Sequence, residues 1–264
     1  MRRPLITNEH GAWVILAVPV LSVIFVSGEY SLKAVLLMLS ALSWFMVYKP
    51  AELLINAYHR FGKPGIRKQT EALYWLPKYA AIAFILSTML LLHSEAWMLI
   101  PAGGIIAVLF VLMKLFMTTA GYSPLRNFTG TLLLTSGGFL ADITFNGTFT
   151  QSGISASVIN LLFFTISSSF ADLKMRELRE DAGKVIHARL IIPAFFIITA
   201  AVLSGLYLAG YIRPLWLLPG FLPLLVHFAA DRFRMTPSRN FKQLGLILMT
   251  YSILLLLTLP YAVQ

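Results

Sequence analysis

The sequence predicts an all-α, multi-pass transmembrane bundle of about nine spans, and three observations predict it. The first is composition: 58% of the 264 residues are hydrophobic and 12% are charged, with a mean hydropathy of +0.78. A soluble chain carries roughly 25% charged residues. The second is that continuous apolar runs recur from end to end. At about 1.5 Å per residue, ~20 residues of helix cross a ~30 Å hydrocarbon core. Continuous runs, unlike alternating ones, exclude a membrane β-barrel. The third is the one-sided placement of Lys and Arg. If the N-terminus is cytoplasmic, every basic residue except Lys33 and Arg213 falls in or beside a cytoplasmic segment. The positive-inside rule then sets the orientation, with the C-terminus outside. It also accounts for the +10 net charge without a nucleic-acid partner.

In order, the spans are 11–27, 32–51, 78–92, 97–117, 129–145, 155–171, 190–209, 215–230 and 244–262. The first follows Arg2 and Arg3 and ends in Val26-Ser27-Gly28, which resembles a signal-peptide cleavage site. Asn8-Glu9-His10 is foreign to a signal sequence and eight spans follow, so it reads as an uncleaved helix. Pro19, Pro193, Pro219 and the pairs Gly103-Gly104 and Gly137-Gly138 are tolerated in membrane helices and favour close packing. The third and eighth spans are short. The segments after spans two and six are long and charged, and four spans separate them. This spacing predicts a single membrane domain, 1–264, with a four-helix repeat (11–117 and 129–230) and a final appended span.

Three polar elements are candidates for function. Before span one, Thr7 or Asn8 suits a helix cap, Glu9 suits the first turn and Trp13 an interfacial anchor. His10 is left unexplained; it titrates near neutrality beside a carboxylate, so Glu9 and His10 are a candidate catalytic pair.

After span two, Lys49 to Arg60 reads as the helix continuing out of the bilayer. Glu52, Asn56 and His59 or Arg60 share one face, before Gly62-Lys63-Pro64-Gly65 breaks it. Arg67, Lys68 and Glu71 follow, and Trp75 and Tyr79 sit where an aromatic belt belongs.

After span six, residues 172–184 hold four acids and four bases. Asp172, Arg176 and Glu180 share a face, as do Glu177 and Asp181, and Gly183 reads as a helix stop. Acidic residues contribute little to topology, so these carboxylates are more informative than the cations around them. One reading is a solvated helix laced by i, i+4 ion pairs. The other is a site for an anionic headgroup or a metal–diphosphate, with carboxylates on Mg²⁺ and Arg or Lys on phosphate.

Elsewhere, His227 and Asp231, one turn apart, read as a cap or a pair, and Asp142 lies towards the outer end of span five. No span carries a charge at mid-bilayer, which argues against an ion-coupled carrier. The chain has no Cys and no nucleotide-binding, serine-hydrolase or zincin motif.

Asn8-Glu9-His10-Gly11-Ala12-Trp13 running into an apolar span with Pro19 resembles the opening of the YwiC-like bacterial membrane proteins. That resemblance implies a bacterial cytoplasmic membrane protein. The layout as a whole resembles the UbiA-type intramembrane prenyltransferases, which have nine helices and Asp-rich motifs at the cytosolic ends of helices two and six. That family's first motif, N-D-x-x-D, stands here as Asn56-Ala57-Tyr58-His59-Arg60, with neither carboxylate. Its second is approximated by Asp172, Glu177, Glu180, Asp181 and Gly183.

The UbiA-type resemblance implies an enzyme acting on an isoprenoid diphosphate or other lipid phosphate at the cytoplasmic face. Asp172, Glu177 and Asp181 would hold Mg²⁺, while Asn56, His59, Arg60, Lys68 and Lys184 would bind phosphate. A transporter or lipid-handling protein, and a non-catalytic membrane scaffold, remain alternatives.

Overall fold

In the computed structural model the described backbone covers residues 4–5, 10–119, 124–178, 182–232 and 241–263. Side chains are described for the same residues apart from 10, 111–119, 124–127, 178, 182–188 and 241–242. Helices dominate these residues: α1 (His10–Ser27), α2 (Leu32–Lys68), α3 (Thr70–Ser94), α4 (Leu99–Thr119), α5 (Pro124–Asn146), α6 (Gln151–Leu178), α7 (Ala182–Leu208), α8 (Leu218–Arg232) and α9 (Phe241–Ala262). A short 3₁₀ turn, Pro214–Leu217, leads into α8. Seven of the described helices are long and apolar enough to cross a membrane, and Gly11–Ser27 and Leu99–Phe110 are shorter apolar helices. The all-α, multi-pass architecture is the predicted one.

The helix α6 is the spine of the bundle. Ile159, Phe163, Phe164, Ile166, Phe170 and Leu173 along it are buried, and it packs on α1, α5, α7, α8 and α9. Small residues set the closest approaches. A Cβ on Gly137 would fall 2.7 Å from Val20 of α1, and one on Gly138 would fall 2.8 Å from Ser157 of α6. Any larger residue would force these three helices apart, as at small-residue interfaces in membranes generally. The α2–α3 pair is joined by polar contacts as well: Ser40 and Ser87 hydroxyls lie 2.7 Å apart, and Trp44 Nε1 donates to Ser87 Oγ at 2.9 Å.

The connections make successive helices reverse direction, so the start of α1 and the ends of α2, α6 and α8 share one end of the bundle. Two connections differ from expectation. The charged stretch after the second span is almost wholly helical: α2 extends to Lys68 and only Gln69 separates it from α3. The third span therefore begins at Thr70 rather than Lys78 and is not short. The predicted break does occur. Gly62 adopts φ +65°, ψ −156°, and the chain folds back so that a Cβ on Gly65 would lie 2.5 Å from the Ala57 carbonyl oxygen. Only glycine meets the first demand without strain and the second without collision. After span six, Gly183 does not stop a helix. It lies inside the first turn of α7.

At the opposite end, Asp142 organises the α5–α6 connection. Its buried carboxylate accepts hydrogen bonds from Thr150 N (2.7 Å), Thr150 Oγ1 (2.7 Å) and Asn146 Nδ2 (2.9 Å). Thr150 Oγ1 in turn accepts from Gly153 N at 3.0 Å, the N-cap geometry. Gly153 lies against the Asp142 carboxylate with no room for a side chain. A carboxylate at the start of α6 is also favoured by the helix dipole.

Candidate functional site

The end of the bundle that holds the predicted residues has two charged parts. The first joins α6, α7 and α8. Leu173 turns into the core, which carries Lys174 inward with it; the Lys174 side chain is 8% exposed and that of Asp231, its ion-pair partner on α8, is 6% exposed. Lys174 also donates to Glu177 Oε2 at 2.7 Å. Glu177 accepts from Arg189 of α7 at 2.6 and 3.2 Å. Beside this chain, Arg176 grips both oxygens of Asp172 at 2.8 and 3.1 Å, the fork geometry in which guanidinium binds carboxylate best. Among the described residues three carboxylates and three cations are thus paired with one another. An isolated charge at this depth would be very costly, and mutual pairing is what makes burial tolerable.

Next to the network, the Phe170 ring packs edge-on to His227, with centroids 5.2 Å apart. The Tyr251 hydroxyl of α9 lies 3.5 Å from His227 Nδ1. Asp231, which the sequence suggests as a cap or a partner of His227, pairs across to Lys174 of α6.

The second part is the turn between α2 and α3. Asn56, His59, Arg60, Lys63, Arg67 and Lys68 are exposed. Among the described residues, Arg60, Lys63, Arg67 and Lys68 make no ion pair. Glu52, on the predicted polar face, is engaged by Lys49 Nζ at 3.0 Å and approached by Tyr48 Oη at 3.5 Å. Aromatics flank the turn: Lys78 Nζ sits 3.7 Å from the Tyr74 ring centroid, and Trp75 stacks on Tyr79. Such a belt marks the headgroup level of a bilayer.

Of the predicted residues, Asp172 and Glu177 are brought together with cations, whereas Asn56, His59, Arg60 and Lys68 stand on the other part. The two parts flank α1 and α5, each of which touches both α2 and α6. The start of α1 therefore lies between them. Glu9 and Asp181 lie outside the described residues, as do the side chains of His10 and Lys184. Among the described residues no group of three His, Asp or Glu is placed to hold a metal ion. Asp172 is engaged by Arg176, and Glu177 by Lys174 and Arg189.

Sequence reasoning missed Arg189 and the depth of Lys174. Lys174 is four residues after Phe170, one turn along the same buried face. That spacing was the available signal for an inward cation.

No curated protein and no solved structure matches the chain. The family model described as YwiC-like protein matches residues 6–142, from just before α1 to the Asp142 carboxylate in α5. That is just over half of the chain, and the protein belongs to the YwiC-like family.

Proposed function

We propose that this YwiC-like membrane protein binds the phosphate or diphosphate headgroup of a lipid at its cytoplasmic end, in a UbiA-like setting that does without a two-metal clamp. One observation carries the reading. The acids of α6 and α8 are neutralised internally, while Arg60, Lys63, Arg67 and Lys68 on the α2–α3 turn are exposed and without ion-pair partners among the described residues. An anion is drawn to the uncompensated side, and cations near a membrane surface contribute about 1 kcal/mol each towards an anionic lipid. Asn56 and His59 stand on the same exposed turn of α2 and supply hydrogen-bond donors that orient the headgroup. The apolar tail needs no pocket of its own, because it stays in the bilayer beside the helices.

The first UbiA-type motif supports a clamp-free site. Ala57 and Arg60 stand where that family has carboxylates, so phosphate charge is met by a guanidinium directly. Guanidinium binds phosphate oxygens in pairs and requires no bridging metal. If group transfer occurs here, these cations stabilise the departing diphosphate electrostatically.

The test is binding of isoprenoid phosphates and diphosphates to protein in zwitterionic nanodiscs, with Mg²⁺ and with a chelator. Wild type is compared with Arg60→Ala, Lys68→Ala and Asp172→Ala. The expected result is binding in chelator, weakened about fivefold per cation removed and unchanged in Asp172→Ala. Binding that needs Mg²⁺ and Asp172 would instead establish the metal-clamped transferase. Equal binding of every anionic lipid would reduce the turn to a topology signal.

A further inference from the structure

The lipid-phosphate reading makes no use of a series of neighbouring titratable side chains drawn from four helices. It begins at Tyr251, ten residues into α9 and thus ~15 Å along that helix. It passes to His227 of α8, with 3.5 Å between Tyr251 Oη and His227 Nδ1. Asp231 follows one turn along the same face of α8. Lys174 of α6 pairs with Asp231 and, at 2.7 Å, with Glu177. Glu177 ends the series on Arg189 of α7. Exposure rises along it, from the nearly sealed Asp231 to Arg189, whose side chain is 37% exposed. Asp231 and Lys174 are thus its most buried members, between the half-buried His227 and the rim at Arg189.

Its layout is poor design for stability alone, since apolar residues of similar size hold helices together at least as well as a buried ion pair. Ionisable chains inside membrane bundles are in general sites of proton binding and transfer. Lys174 is the pivotal member because it is shared between two carboxylates.

We propose that His227 is a proton-binding site, and that proton uptake there exchanges the partner of Asp231 from the Lys174 ammonium to the His227 imidazolium. The charges balance without any further reactant. Neutral His227 gains a proton from rim water and becomes a cation. Asp231 stays anionic and pairs within α8, and Lys174 keeps Glu177, which it shares with Arg189. The α6–α8 bridge is replaced by a contact internal to α8, which frees the two helix ends to separate.

The groups facing His227 are Tyr251 from α9, Asp231 from α8, and the Phe170 ring and Lys174 from α6. Glu177 and Arg189 act one step further out. Asp172 pairs with Arg176 beside the series. The proposal does not rest on the lipid-phosphate reading.

The chain has no Cys, so spin labels can be placed on a single pair of introduced cysteines. Met175→Cys on α6 and Val226→Cys on α8 replace exposed side chains near the bridge. Distances between the labels are measured in nanodiscs at about pH 8 and about pH 5, the range histidine spans. Nitrogen-15 histidine spectra are recorded in parallel, with His227→Gln identifying the His227 signal among five histidines. The expected result is titration of the His227 signal and a label-distance shift of about 2 Å, the scale of helix shifts in switching proteins, with the same midpoint. His227→Gln abolishes the shift, and Asp231→Asn shows the low-pH distance at both pH values. A His227 signal that does not titrate, a distance independent of pH, or a shift that survives His227→Gln overturns the proposal.

Discussion

The ends of α6 and α8 with the start of α7, and the turn between α2 and α3, lie at the same end of the bundle and hold their charges in opposite ways. On α6 to α8, Lys174 and Asp231 are buried against each other, Glu177 is held by two cations and Asp172 by one. On the α2–α3 turn, Arg60, Lys63, Arg67 and Lys68 face outward. Burial forces neutrality, because each unpaired charge there costs several kcal/mol. Exposure permits surplus, because water and counterions screen it. The first region is thus set up to hold helices together and the second to meet an anion. Of the acidic cluster after span six, Asp172 and Glu177 are engaged in ion pairs.

The comparison breaks most directly at Lys174. Replacing it with Met takes the ammonium away from both Asp231 and Glu177, so a stability loss of about 3–5 kcal/mol is expected in detergent unfolding. Adding Asp231→Leu to that variant restores most of the loss. If Lys174→Met alone is neutral, the network is not structural.

A smaller effect is expected at the opposite end, where Asp142 is as buried as Lys174 but is satisfied by neutral donors. Asp142→Ala strands Thr150 and Asn146 and should cost about 1.5–3 kcal/mol, read by the same unfolding measurement. Gly153→Ala should cost about 1–3 kcal/mol by overpacking against that carboxylate.

On the exposed side, Arg60→Ala and Lys68→Ala should each change stability by less than about 0.5 kcal/mol. Each should weaken lipid-phosphate binding by about 1 kcal/mol, with an effect that shrinks as salt rises. A large stability loss from either would erase the contrast between the regions. A small effect is also expected at Lys78, whose contact with the Tyr74 ring contributes about 0.5–1 kcal/mol; Lys78→Ala should lower the unfolding free energy by that amount.

The architecture was legible because each span is a local, continuous apolar run. The break at Gly62 and Gly65 was legible for the same reason: glycine and proline act on their own stretch of backbone. The helix starts were less so. Thr70 begins α3 after a single linking residue, and Ala182 begins α7 before Gly183, since a glycine in a first turn is not itself a stop. The Asp172–Arg176 pair could be read from its i, i+4 spacing. Lys174–Asp231 could not, because those residues come from different helices and meet only through packing of α6 on α8. A search for charge within single spans missed the same network, since it forms where several helix ends converge and includes a histidine that carries no formal charge.

Binding of an isoprenoid diphosphate to the wild-type protein in chelator, set beside the Arg60→Ala/Lys68→Ala double variant, tests the account most directly. The account predicts binding without metal and a loss of roughly 25-fold in the double variant, from about 1 kcal/mol at each cation. Binding that vanishes in chelator while the double variant, supplied with Mg²⁺, binds as wild type does would contradict it.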